Sequence, residues 1–187
     1  MTATGPQAPR TETNMMRNSM IGMVAGLVLS TAIAIAADKP SDPQIAHIAY
    51  TAGDLDIKAA KLALEKSKSE TVRAFANDMV RDHQAVNDKA LTLVKKLGVT
   101  PVDNETSKAL IAQAEQKQSE LASLSGSAFD KAYVDNEVAY HKMVNDALRT
   151  TLIPSSSNAE LKSLLETGLK IFEGHLHHAE MLAHTHH

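Results

Sequence analysis

Residues 69–98 read SETVRAFANDMVRDHQAVNDKALTLVKKLG, and their spacing decides the fold class. Val72, Phe75, Met79, His83, Val86, Ala90, Leu93 and Leu97 recur at steps of three and four, which is one face of an α-helix. Ser69 stands at the N-cap and Gly98 where the chain leaves the helix. His83 interrupts the apolar stripe near its middle.

The same period extends on both sides of this helix. Upstream, a first helix from Pro43 to Ser67 carries Ile45, Ala49, Ala52, Asp56, Ala59 and Ala63 on one face. Downstream, a turn with Pro101 leads into a more polar helix, Glu105 to Leu124, with few large apolar residues. Ser125-Gly126-Ser127 breaks it. A third bundle helix then starts at Ser127 with Asp130, its face carrying Phe129, Tyr133, Glu137, Tyr140, Val144 and Leu148, with His141 at the border. Pro154 to Asn158 reads as a polar loop, and a fourth bundle helix follows with Leu161, Leu165, Gly168, Phe172, His175, Ala179 and Leu182.

Short connections make the first and second bundle helices antiparallel, and likewise the third and fourth. At about 1.5 Å per residue, the segment from Glu105 to Leu124 is long enough to return the chain along the whole bundle. The second and third bundle helices then run parallel. The expected fold is all-α, a ferritin-like four-helix bundle with one long helical crossover between helices 2 and 3.

Composition agrees, with 3% aromatic residues and no tryptophan from which to build a β-sandwich. A net charge of -3 with interspersed signs gives no basic patch for nucleic acid. The absence of cysteine removes disulfides, thiolate metal sites and thiol catalysis.

The N-terminus reads as a leader. Arg10 and Arg17 precede an apolar run from Met20 to Ala36, and Ala34-Ile35-Ala36 is a signal-peptidase pattern. Residues 1–36 are therefore expected to be a signal peptide, with 1–14 an upstream extension if Met15 or Met16 is the start, and 37–187 the mature bundle. A retained anchor is the rival reading, at the short limit for a spanning helix. Export to the periplasm or cell envelope follows from cleavage, with no spanning segment left afterwards. An envelope partner and the oligomeric state stay open.

Each bundle helix places one ligand-capable residue on or beside its seam: Asp56, His83, His141 and His175. Counted along the bundle, their depths fall within roughly 8 Å of one another. Three imidazoles and a carboxylate suit Zn, Cu, Fe or Mn, with Asp82, Glu137 and Tyr140 as supporting partners. A metal-free polar cluster that locks helix register is the competing reading. The Glu-x-x-His pair of ferritin-like di-iron sites is missing, since Val80, Val138 and Phe172 stand three residues before the histidines. A second candidate lies in the histidine-dense C-terminus, His177, His178 and His184, with His186 and His187 beyond. Met79, Met143 and Met181 read as core filler. No Ser-His-Asp or paired-carboxylate arrangement stands out, so no catalytic or organic-cofactor residues are assigned.

Gly53-x-x-Asp56, Phe75-Ala76-x-x-Met79-Val80-x-Asp82-His83, Phe129-Asp130-x-x-Tyr133, His141 and His175-Leu176 together resemble an exported bacterial ferritin-like family, domain of unknown function 4142. The resemblance covers Asp42 to about Leu182, and Met-Val-x-Asp-His is its most specific piece. It implies a periplasmic or envelope bundle, often labelled an outer membrane protein, and names no reaction. The family usually carries Glu where this chain has Asp56. The expected role is a periplasmic metal-associated or stress-related binding protein. The alternatives are a metal-free envelope structural or interaction module, and a ferritin-like redox enzyme with an open coordination position.

Overall fold

The computed structural model describes Met1 and residues 39–185. The readings on the leader and on His186 and His187 lie outside these residues.

Helix α1 spans Asp42–Lys66, opened by a capping box in which Ser41 and Gln44 satisfy each other's backbone. Helix α2 spans Glu70–Leu97; the Ser69 hydroxyl accepts from the Val72 N–H, and Gly98 leaves in the left-handed region at φ 63°. Helix α3, Glu105–Ser123, is capped by the Asn104 side chain, which accepts from the Ser107 N–H at 3.0 Å. Helix α4 spans Gly126–Ala147 and passes through a π-helical turn, Leu148–Leu152, into the short α5, Ile153–Ser155. Helix α6 spans Ala159–Thr185, with the Asn158 side chain accepting from the Glu160 and Leu161 N–H groups at 3.0 Å each. The described residues contain no strand.

The predicted loop from Pro154 to Asn158 is a correction: the helical path runs on to Ser155. Inside an α-helix, the proline ring would strike the carbonyl four residues back. Here the preceding turn widens, the Ile153 N–H bonding the Leu148 carbonyl five residues back, and Pro154 falls in the first turn of α5.

Pairs across the bundle fix its topology. Lys96 near the end of α2 meets Glu160 at the start of α6, at 2.6 Å. Phe75 early in α2 touches Tyr133 early in α4 and His178 late in α6. So α2 and α4 run parallel, α6 runs against both, and α3 makes the crossover along α1. The Asp42 carboxylate ties the start of α1 to the α5–α6 turn, accepting from Ser156 and Ser157 hydroxyls and the Ser157 and Asn158 N–H groups at 2.6–3.0 Å. Helices α1 and α2 approach closely at Gly53, where an added Cβ would lie 2.5 Å from the Asn87 side-chain oxygen.

The apolar interior divides in two. One part gathers Val72, Phe75, Met79, Phe129, Tyr133 and Val134 near the α1–α2 turn. The other gathers Ile45, Ile48, Leu55, Leu148, Leu161, Leu165 and Phe172 near the opposite end. Between them lies a buried polar layer of Asp56, His83, Asn87, Glu137, His141, Asn145 and His175.

Candidate metal centre

The layer exists because every bundle helix turns at least one polar residue inward near the same depth. His83 takes a place on the α2 stripe that an apolar residue would otherwise fill, and Asn87 follows one turn later. On α4, Glu137, His141 and Asn145 succeed each other at steps of four and so share a face. Asp56 and His175 enter from α1 and α6. Relative exposures are 1% for Asp56, Glu137 and His141, 2% for His83 and 7% for His175.

The four residues singled out by sequence come together. His83 Nε2 lies 3.3 Å, and His141 Nε2 3.4 Å, from the same oxygen of Asp56, Oδ2. Ring centroids of His83, His141 and His175 stand 5.3–5.6 Å apart. Donor atoms of His83, His141 and His175 lie within 4.8 Å of one another, and so do those of Asp56, Glu137 and His141. His141 belongs to both triads. Phe172 stacks on the His83 ring at 4.4 Å and 8°, closing the apolar side.

Supporting contacts fix the tautomers. His141 Nδ1 is 3.0 Å from the Glu137 carbonyl oxygen, which accepts only, so Nδ1 carries the proton and Nε2 keeps its lone pair. His175 Nε2 donates to Asp82 at 3.1 Å, leaving the Nδ1 lone pair free. Arg81 in turn holds Asp82 from the solvent side at 2.7 Å, keeping that carboxyl below its usual range. A carboxylate behind an imidazole is the arrangement that orients metal-ligating histidines. Asp82 thus takes the supporting position expected of it. Tyr140 does not, since its hydroxyl donates to the Ala52 carbonyl oxygen at 2.8 Å. Glu137 exceeds its expected role, because its side chain joins one of the donor triads.

Burial governs the charges. It pushes the Asp56 carboxyl up to about 8, and holds Glu137 well above the carboxylate range with Asp56 adding to the effect. It also lowers His141 to about 4, against the pull of the Glu137 carbonyl. His83 falls well below the usual imidazole value through burial and its two histidine neighbours, and His175 is lowered by burial with Asp82 opposing. At neutral pH the imidazoles are neutral, with lone pairs available. The two carboxyls hold protons that a cation would displace.

The C-terminal histidines are arranged differently. The edge of His178 rests against Phe75, ring centroids 5.1 Å apart, while His177 and His184 are exposed on one face of α6, about 10 Å apart along the axis. None of the three joins a group of metal-spaced donors among the described residues.

Sequence reasoning overlooked Asn87 and Asn145 as members of the layer. Their signal was present: each stands four residues after a core histidine. Searching for Glu three residues before each histidine likewise missed the spacing of four that links Glu137 to His141.

The profile of a family described only as a domain of unknown function, DUF4142, matches residues 29–182. The chain belongs to that family. No curated protein matches this DUF4142 chain in sequence. Among solved structures it is similar to a protein from Streptomyces coelicolor described as secreted and as DUF305, with a TM-score of 0.66 and 11% identity, over 76% of this chain and 91% of that one. It is also similar to CopM in the Cu(II)-bound form, with a TM-score of 0.62 and 12% identity, over 80% of this chain and 100% of that one. At such identities the DUF4142 bundle shares their fold alone. Among its described residues, no helix is long and apolar enough to cross a membrane.

Proposed function

We propose that this DUF4142 protein is exported to the cell envelope and binds a first-row divalent transition metal in its polar layer. The donors are His83, His141, His175 and Asp56, with Glu137 as a further carboxylate. One observation carries the reading: Asp56 Oδ1 and Oδ2, both ring nitrogens of His83, His141 Nε2, His175 Nδ1 and Glu137 Oε2 are buried without a hydrogen-bond partner. Each orphaned polar atom costs about 1–3 kcal/mol, and those that offer lone pairs, one nitrogen of His83, His141 Nε2, His175 Nδ1 and the carboxyl oxygens, gain from a partner that accepts them. A divalent cation supplies it. Three neutral imidazoles with carboxylate oxygen suit Cu and Zn best within the set Zn, Cu, Fe and Mn, and affinity order puts Cu(II) first. The Cu(II)-bound neighbour supports the same choice through its fold.

Metal content of untagged protein purified without chelator tests this. We expect one ion per chain, and a rise in melting temperature when the stripped protein receives Cu(II) or Zn(II). Substoichiometric metal together with no melting shift from Zn, Cu, Fe or Mn would favour a metal-free envelope module instead. Export rests on the leader pattern Ala34-Ile35-Ala36, and a fold neighbour described as secreted supports it. Intact mass of the exported protein should place its first residue near Ala37; a membrane-bound form retaining Met20–Ala36 would overturn the export reading.

A further inference from the structure

A cavity of about 200 Å³ lies between α1, α3 and α4, on the side of the polar layer away from His83 and His175. Its walls are largely apolar, with Leu55, Ala59, Leu110, Ala114, Leu121 and Met143. The inner end reaches Asp56 and Glu137, and the mouth is formed by the exposed residues Gln113, Lys117 and Ala139.

We propose that this cavity binds a small neutral molecule of about one ring in size, its apolar body against the leucines and Met143 and a hydroxyl head at Asp56 and Glu137. Size supports this: apolar cavities near 150 Å³ hold benzene, so 200 Å³ admits one ring with a substituent. Asp56 and Glu137, each 1% exposed, line the inner end; Asp56 Oδ2 is the oxygen turned to His83 and His141, which leaves the unpartnered Asp56 Oδ1 to fix where the polar head goes. Tyr140, another polar group of the lining beside Gln118 and Asn136, is already bonded to the Ala52 carbonyl oxygen. A hydroxyl both donates and accepts, so it pairs with a carboxyl in either protonation state. Neutrality follows from the walls, since burying an ionic group against largely apolar side chains is costly.

The inference does not depend on bound metal, and its test uses chelator-treated protein. Phenol is the probe, benzene the same ring without its head, and the Met143 methyl resonance the reporter. Phenol should shift that resonance saturably, and benzene should bind about tenfold more weakly, the factor expected of one hydrogen bond. Filling the cavity from its wall by Ala114→Phe should abolish the phenol-dependent shift while circular dichroism stays unchanged. Should that variant fold poorly, Ala139→Phe at the exposed lip serves the same purpose. No shift with phenol at millimolar concentration, equal binding of benzene, or undiminished binding in the filled variant would each overturn the proposal.

Discussion

His175 and His177 stand two residues apart on α6, yet one is buried within a set of convergent donors and the other faces solvent. The core histidines come from three different helices, so their side chains point at one another. The terminal histidines come from a single helix, which turns adjacent residues about 100° apart and puts same-face residues a turn or more apart along the axis. Density of histidine in the sequence is therefore a poor guide to a centre; convergence from separate elements is the better one. Rigidity differs as well, because packed helices hold the first set without further ordering cost, and the second would have to reorganise around an ion.

The largest expected effect comes from Phe172, which stacks on His83 and belongs to the second apolar cluster. Phe172→Ala should lose about 3–5 kcal/mol in chemical denaturation of stripped protein. It removes no donor atom, so metal stoichiometry should persist in whatever fraction folds; loss of metal from folded protein would show that the donors need the ring's support.

His83→Ala comes next. His83 makes no hydrogen bond, so truncation strands no partner and the cost to stripped protein is the lost stacking and a cavity, about 2 kcal/mol. The melting shift on adding Cu(II) should collapse at the same time. A variant that keeps the full shift would remove His83 from the donor set.

The pH dependence of stripped protein sharpens the contrast in charge. The Asp56 carboxyl sits at about 8 in the fold, against an ordinary value of 3.8, so between these values the folded state holds a proton the unfolded chain has released. Stability contributed by that proton is present below about pH 4 and lost as pH rises towards 8. His141 behaves oppositely: it sits at about 4 instead of 6.5, so the fold loses stability as pH falls from 6.5 to 4. The two slopes oppose each other below pH 6.5, which leaves a decline from 6.5 to 8 driven by the carboxyls. Asp56→Asn should flatten that decline in a series of melting curves; an unchanged slope would show that Asp56 is not the group responsible.

His184→Ala should have the smallest effect, within about 0.5 kcal/mol, with the metal-dependent melting shift retained. If it abolished that shift, the terminal face rather than the polar layer would be the site.

Much of the architecture was legible because burial on one helix face writes itself as a period of three and four. The stripe from Val72 to Leu97, the polar crossover from Glu105 and the depths of Asp56, His83, His141 and His175 all followed from that period. What was not legible depended on contacts between distant residues. Pro154 looks like a loop residue until the widened turn before it is known. Tyr140 looks like a site residue because it shares the seam, but only the approach of the Ala52 carbonyl reveals where its hydroxyl goes. Glu137 was visible on the seam, whereas its place among the donors required knowing how α1 and α4 approach.

The crossover helix carries one further consequence. Of α3, only Ser107, Leu110 and Leu121 are buried, whereas α1 and α2 bury residues along most of their lengths. Little apolar surface is exposed when α3 detaches, so its amide hydrogens should exchange with deuterated solvent by local opening, well before those around Phe75 and Met79, which wait for global unfolding. Such opening would uncover the cavity wall formed by Leu110, Ala114 and Leu121, making the crossover the element through which the interior meets its surroundings.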